Sequence, residues 1–261
     1  MNYDDTPKGS RSDPIVAVIL AAGLGKRMSA PIPKVLFTLQ GKALIRWVVE
    51  AAQKAEIDRV IVVIGHEGEM VKEAVDDLGV EFVWQRERLG TGHAVLQAES
   101  LLASHDGSVV VLNGDVPRIR PKTITDLIDT RRRMNAAAAV VTVQMADPTG
   151  YGRIVRRPGG LVDRIVEERD ADPQTKTIRE INSGTFCFRA PHLFSALHQV
   201  TNNNAQGEYY LTDVVSLLCR KGLSVVACES SDPTEAHGVN SPEQLEELER
   251  MSQLWDSQRK A

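Results

Sequence analysis

A three-layer α/β fold, with a mainly parallel sheet and an inserted antiparallel section, is what this 261-residue sequence predicts. Three observations carry the prediction. Short apolar, β-branched runs at 16–20, 59–64, 80–84 and 108–112 alternate with segments whose apolar residues recur at helical spacing. The run 59–64 is continuously apolar after Arg59, as strands buried on both faces are. Beyond residue 143 the alternation gives way to shorter strand-like runs separated by turns.

Residues 1–13 are polar and without periodicity, and are expected to be a disordered lead-in to a domain spanning 14–245. After strand 16–20, residues 42–55 place Ala43, Leu44, Trp47, Val48 and Ala51 on one helical face. Strand 59–64, helix 67–78, strand 80–84, helix 91–103 and strand 108–112 follow with short connections. Such β-α-β units pair their strands in parallel and bind ligands beyond the carboxyl ends of those strands. Residues 121–134 read as a helix whose Arg131, Arg132 and Arg133 suit the dipole at its end and, being charged, water. A strand at 136–143 precedes the runs 150–156, 161–166 and 181–189, which are expected to form a lid or second wall over the pocket. Helix 208–220, strand 223–228 and a charged amphipathic helix at 242–255 complete the pattern, 246–261 being its remainder and tail.

With 42% apolar residues there is material for a large core. The 31 basic and 35 acidic residues leave a net charge of −4, and no basic run exceeds the arginine trio, which argues against a nucleic-acid partner. No apolar run reaches membrane-spanning length and no signal-peptide pattern opens the chain, so no membrane association is expected and the cytoplasm is the expected location. Cys187, Cys219 and Cys228 are far apart in apolar surroundings, which fits small buried hydrophobes rather than zinc ligands or a disulfide framework.

The stretch 16–37 is the chemically richest. Behind strand 16–20 come Gly23 and Gly25, then Lys26, Arg27 and Lys34 with a Pro31-Ile32-Pro33 brace. Glycines let backbone N–H groups approach an anion, and cations neutralise charge that those dipoles alone do not hold. A dinucleotide-binding G-x-G-x-x-G lacks its third glycine here, and no Walker A loop occurs. A surface turn that is basic by accident is the remaining alternative; three cations and the proline brace favour phosphate.

L-A-A-G-L-G-K-R-M followed by P-K-V-L resembles the signature of sugar-phosphate nucleotidyltransferases. Within that family the chain is most similar to the N-acetylglucosamine-1-phosphate uridylyltransferase domain of the bacterial bifunctional enzyme, and the similarity extends to about Gln244. The resemblance implies a Rossmann-like nucleotidyltransferase (nucleotide-diphospho-sugar transferase) fold. It also implies a UDP-N-acetylglucosamine diphosphorylase: Mg2+-dependent transfer of UMP from UTP to N-acetylglucosamine 1-phosphate, supplying a cell-wall precursor. Arg27 and Lys34 would be catalytic, and Leu20, Ala21, Ala22, Gly23, Gly25 and Lys34 would hold the nucleotide phosphates.

The later motifs read as follows. Gln85, just past a strand, suits a pyrimidine edge because an amide both donates and accepts, and Gly90 and Thr91 admit the base while Thr91 is also placed to cap a helix. The family's Q-x-x-Q-L-G-T-G-H-A assigns these three to uracil; Arg88 replaces the second glutamine, and His93 reads as structural. Asp115, in Asn113-Gly114-Asp115-Val116-Pro117, lies at a strand's carboxyl end, where a carboxylate faces the ligand crevice. The resemblance makes Asp115 a Mg2+ ligand together with Asn240 of Gly238-Val239-Asn240, although Asn240 taken alone is a helix cap. Asn113 departs from the family's tyrosine. Glu167 and Asn182 on alternating strands, Gly152 in a turn, and Tyr209 or Tyr210 in N-N-A-Q-G-E-Y-Y-L-T-D acquire sugar contacts from the resemblance; taken singly the strand positions face water.

Alternatives of substrate and of class stay open: another sugar 1-phosphate or NTP, or a non-catalytic sugar-nucleotide-binding paralogue. The family's hexapeptide β-helix does not occur within these residues, so no acetyltransferase activity or trimer is expected of them. Oligomeric state is not legible.

Overall fold

The structure, a computed structural model, describes residues 13–23 and 32–260, with side chains as far as Met251. Seven strands form one continuous sheet in the order β11-β7-β10-β6-β1-β4-β5, where β1 is Ile15–Leu20, β4 Arg59–Ile64, β5 Glu81–Trp84, β6 Ser108–Asn113, β7 Ala138–Gln144, β10 Glu180–Arg189 and β11 Val225–Glu229. A hairpin of β8 (Arg153–Arg156) and β9 (Val162–Val166) joins this sheet through β8 and β10, and β2 (Thr38–Leu39) with β3 (Lys42–Ala43) forms a separate ribbon. β1 pairs in parallel with both β4 and β6, in register Val18↔Ile61 and Val18↔Val111, so the central strands are buried on both faces.

Side-chain alternation sorts the core into two layers. From β1, Val16 and Val18 face one layer, and Ile15, Ala17 and Ile19 the other. The first layer is closed by α3 (Thr91–Leu96), α6 (Ala190–Leu197) and α7 (Asp213–Arg220) through Val95, Leu193, Phe194, Val214 and Leu218. The second is closed by α1 (Leu44–Lys54) and α4 (Pro121–Arg133) through Ile45, Val48, Val49, Ile124 and Leu127. Each fully buried aliphatic side chain contributes about 1.5–3 kcal/mol relative to exposure. The remaining helices are α2 (Gly68–Glu73), α5 (Pro173–Lys176) and α8 (Pro242–Lys260).

The predicted α/β order holds, with local corrections. β10 is no part of a lid: it lies inside the sheet, antiparallel to both β6 and β7, with Ile181, Cys187 and Phe188 fully buried. Only the β8–β9 hairpin stands off the main path. Helix 91–103 stops at Leu96 because the Gln97 side-chain amide takes the His93 carbonyl at 2.9 Å, and the backbone N–H of Gln97 turns to Ala94 instead. Helix 208–220 begins only at Asp213, since Tyr209 donates its N–H to Leu89 at 2.7 Å and accepts from Gly92 at 2.8 Å. Helix 67–78 is split at Val75, whose φ of −140° ends α2 before a 3-10 turn at Asp76–Leu78.

Arg131 is not solvated: it is 5% exposed and donates to Asp13 at 2.5 Å and to Ser108 at 2.8 Å, with Arg132 on the same carboxylate at 2.7 Å. Asp13, expected to close the disordered lead-in, thereby anchors the start of β1; residues 1–12 lie outside the described residues. Cys187 is buried, whereas Cys219 and Cys228 are half-buried. No helix among the described residues is long and apolar enough to cross a membrane.

Candidate active site

An open cleft of about 1510 Å³ runs along the carboxyl ends of β1, β5 and β6 and across β8–β10. At its first end, Leu20, Ala22 and Gly23 line the wall. Ala21 does not: its N–H is donated to Val63 at 2.9 Å and its side chain is buried. Gly25 and Arg27 lie outside the described residues. Lys34 opens a 3-10 turn after Pro33, whose φ of −52° sets the approach.

Three site residues from distant parts of the chain meet here. The Lys34 ammonium forms an ion pair with Asp115 and donates to Asn240 Oδ1 at 2.7 Å. Asp115 follows β6 directly. Gly114 donates its N–H to the Leu20 carbonyl at 2.9 Å, and the Asp115 carbonyl accepts from Val239 at 2.9 Å, so both loops share one scaffold. Asn240 is oriented by its own amide N–H, donated to the Gly238 carbonyl at 3.3 Å, which leaves Oδ1 facing Lys34. Asn240 does not cap α8 through its side chain in this arrangement; its backbone N–H is instead satisfied by Gln244 Oε1 at 2.8 Å.

A carboxylate and an amide oxygen converging on one positive charge are a donor set suited to a hard divalent cation that also keeps phosphate oxygens as ligands. Among the described residues no group of three or more His, Cys, Asp or Glu side chains is arranged to hold a metal. A cation at this site would therefore rest on Asp115, Asn240 and the substrate's own oxygens.

At the second end, Gln85 is 4% exposed, lines the cleft and follows β5, its N–H donated to Ile64 at 2.8 Å. Its side-chain Nε2 lies 3.1 Å from the Gly90 carbonyl and 3.0 Å from His93 Nδ1. A carbonyl only accepts, so this contact fixes which end of the amide is NH2, and the Gln85 oxygen is left for a ligand. His93 thus does more than fill space: it helps orient Gln85. Gly90 has φ +112°, and a Cβ there would lie 2.6 Å from the Tyr209 carbonyl, so the close backbone crossing requires glycine. Thr91 lines the cleft but caps nothing in its own helix; its hydroxyl accepts the Leu211 N–H at 3.0 Å. Arg88 also lines the cleft.

The third wall comes from the antiparallel strands. The turn before β8 is held by Arg153, 2% exposed and paired with Glu168 at 2.8 Å, and it brings Gly152 to the cleft. Glu167 lines it from the end of β9 and accepts from the Thr212 hydroxyl at 2.8 Å. Burial pushes its carboxyl above the usual range, the Thr212 hydrogen bond opposes this, and Asp213, Asp170 and Glu208 add to it by repulsion. Asn182 lines the cleft beside a bulge in β10, its Oδ1 accepting the Gly184 N–H at 2.9 Å. Gly184 has φ +80°, and a Cβ there would run into the Asn113 amide.

The expectation for Tyr209 and Tyr210 is corrected. Neither lines the cleft: Tyr209 packs on the core and Tyr210 is 6% exposed, its hydroxyl accepting from Gln206 at 2.8 Å. The same segment offers Gln206, Glu208 and Thr212 instead. Thr212 and Ser183, also on the wall, carry no signal in sequence beyond ordinary polarity.

The sequence model of the MobA-like NTP transferase domain matches residues 17–204. The chain belongs to this nucleotidyltransferase family. Members resembling it include the bifunctional protein GlmU of Acetivibrio thermocellus, 46% identical over 237 residues that are 91% of this chain and 51% of that protein. GlmU of Geobacter metallireducens is 44% identical over 239 residues, 91% of this chain and 50% of the other. The chain thus spans about half the length of the curated relatives it matches. A UDP-glucose pyrophosphorylase solved with UDP-glucose shares the NTP-transferase fold, with a TM-score of 0.74 at 18% identity over 92% of this chain and 98% of the other.

Proposed function

We propose that this nucleotidyltransferase domain moves UMP from UTP to N-acetyl-α-D-glucosamine 1-phosphate, releasing pyrophosphate and UDP-N-acetylglucosamine, with Mg2+ as cofactor. The observation that carries the reading is the meeting of Lys34, Asp115 and Asn240 at the phosphate end of a cleft whose other walls offer the amides of Gln85 and Asn182 and the carboxylates of Glu167, Glu168 and Glu208. The similarity to GlmU over the whole matched region supports the choice of substrates.

In this reaction an oxygen of the sugar phosphate attacks the α-phosphorus of UTP in line, one P–O bond forms, and the bond to the β-phosphate oxygen breaks. The attacking oxygen is already anionic, so no side chain has to remove a proton. The barrier is the repulsion between two anions, which positioning and charge neutralisation lower. Lys34 supplies one positive charge, and Arg27 is proposed to supply another. Mg2+, held by Asp115 and Asn240, would neutralise charge on the phosphate oxygens. Gln85 Oε1 accepts the ring N3–H of uracil, a donor that cytosine lacks, and Arg88 offers N–H groups to the uracil oxygens. Gly152, Glu167 and Asn182 face the sugar, where Glu167 accepts from hydroxyls.

Pyrophosphate release measured over UTP, CTP, GTP and dTTP, each with the 1-phosphates of N-acetylglucosamine, glucose and N-acetylgalactosamine, tests the reading. The expected result is highest kcat/KM for UTP with N-acetylglucosamine 1-phosphate. A different preferred pair would move the assignment to that pair, and tight UDP-sugar binding without turnover on any pair would make the chain a sensor.

A further inference from the structure

Glu235 is the most deeply buried carboxylate among the described residues, at 0% exposure, and it lies outside the cleft lining. Both of its oxygens are occupied. Thr123 Oγ1, in the first turn of α4, lies 2.9 Å from Oε1 and 2.7 Å from Oε2; Ser230 Oγ, just past β11, donates to Oε2 at 2.8 Å; and the Arg120 guanidinium closes an ion pair on Oε1. Arg120 also faces Asp232 at 3.9 Å. A buried carboxylate is costly to desolvate unless geometry offsets it, so such a group marks a place where position is being held.

What it holds follows from the chain. Arg120 ends the segment that leaves β6 with Asp115, and Glu235 opens the segment that leads to Asn240. The two segments are joined a first time by the Val239 N–H on the Asp115 carbonyl, at 2.9 Å, and a second time by Arg120 on Glu235. Two crossing points fix both separation and tilt, whereas one leaves a hinge.

We propose that Glu235, through Arg120, is a positioning residue that sets the spacing of Asp115 and Asn240 for a divalent cation. This rests on the reading of that pair as the cation site. Groups that orient metal ligands without touching the metal typically change affinity by about 10- to 100-fold when removed.

The test is Mn2+ affinity of the whole protein saturated with UDP-N-acetylglucosamine by electron paramagnetic resonance, beside UTP affinity without metal by calorimetry. Arg120→Met breaks the clamp from its half-exposed side, and Glu235→Gln keeps the size of the buried group. Mn2+ affinity is expected to fall at least about tenfold in each, no further in the double variant, and metal-free UTP affinity to stay within twofold, while Lys122→Met on the exposed face of α4 changes neither. Unchanged Mn2+ affinity in a folded Arg120→Met protein, or equal losses of Mn2+ and UTP affinity, would overturn the proposal. Asp115→Asn separates the two levels: if it leaves Mn2+ binding intact, the cation site itself is wrong and the positioning role falls with it.

Discussion

The nucleotide side and the sugar side of the cleft are built from different parts of the sheet and carry different charge. On the nucleotide side, Leu20, Gln85 and Asp115 follow or end parallel strands, and their neighbouring backbone groups hydrogen-bond to one another. On the proposed sugar side, Glu167 follows β9 and Asn182 lies in β10, both antiparallel strands, and Glu167 accepts from Thr212 while Asn182 accepts from Gly184. The first side places a lysine against Asp115 and Asn240; the second gathers Glu167, Glu208, Asp170 and Asp213, whose mutual repulsion adds to burial in lifting the Glu167 carboxyl. The difference supports the proposed division of the cleft, with phosphates at the strand ends beside Lys34 and sugar hydroxyls against the acidic strand faces.

The largest effect should come from removing charge on the phosphate side. Lys34→Ala and Asp115→Ala are each expected to lower kcat by at least about a hundredfold with the thermal melt retained, since one charge-stabilising group commonly carries 10²–10³ in rate. Near-normal turnover in either would erase the distinction between the two sides.

Next is Gln85→Leu, which deletes the acceptor for the base and leaves the Gly90 carbonyl without its side-chain donor. A loss of about 1–3 kcal/mol is expected, read as a ten- to hundredfold rise in KM for UTP with KM for the sugar phosphate unchanged. A matching rise for both substrates would mean that the two sides are not separate.

Glu167→Gln should do the converse on a smaller scale, raising KM for the sugar phosphate severalfold and not that for UTP. It also has a pH signature. Because the folded carboxyl sits above its ordinary value of 4.5, the folded state binds the extra proton; the stability gained is fully present below pH 4.5 and is lost as pH rises through the raised value. Melting temperatures of the wild type should therefore fall relative to Glu167→Gln as pH rises from 4.5, and a parallel pair of curves would contradict a raised Glu167 carboxyl. Thr212→Val, removing a single hydrogen bond to Glu167, is the mildest change, worth about 0.5–1.5 kcal/mol in the melt.

How much of this was legible in the sequence divides along the same line. The strands of the parallel half are legible nearly to the residue, because continuous β-branched runs such as Arg59–Ile64 have few alternatives, and the Asp115 and Asn240 loops carry recognisable motifs; its helix ends at Leu96 and Val75 are not. Nor is the antiparallel half. Placing β10 between β6 and β7 is a matter of long-range pairing, which local pattern does not encode, and a run interrupted by Asn182, Ser183 and Gly184 looks like an edge strand. The motif letters match the family at Tyr209 and Tyr210, yet Tyr209 is held by backbone bonds to Leu89 and Gly92 and packs on the core, and the Tyr210 hydroxyl reaches only Gln206, which itself lines the cleft. Arg131 reads as a solvated charge in sequence because its partners Asp13 and Ser108 lie in other elements, and Glu235 carries no signal there because Arg120 and Thr123 lie more than a hundred residues away.

The central claim is that Asp115 and Asn240 hold one divalent cation beside Lys34. Crystals grown with UDP-N-acetylglucosamine and Mn2+, measured at the manganese absorption edge, test it most directly. An anomalous peak between the Asp115 carboxylate and Asn240 Oδ1, lost in Asp115→Asn, is the predicted result; a peak elsewhere in the cleft, or one that persists in Asp115→Asn, would contradict it.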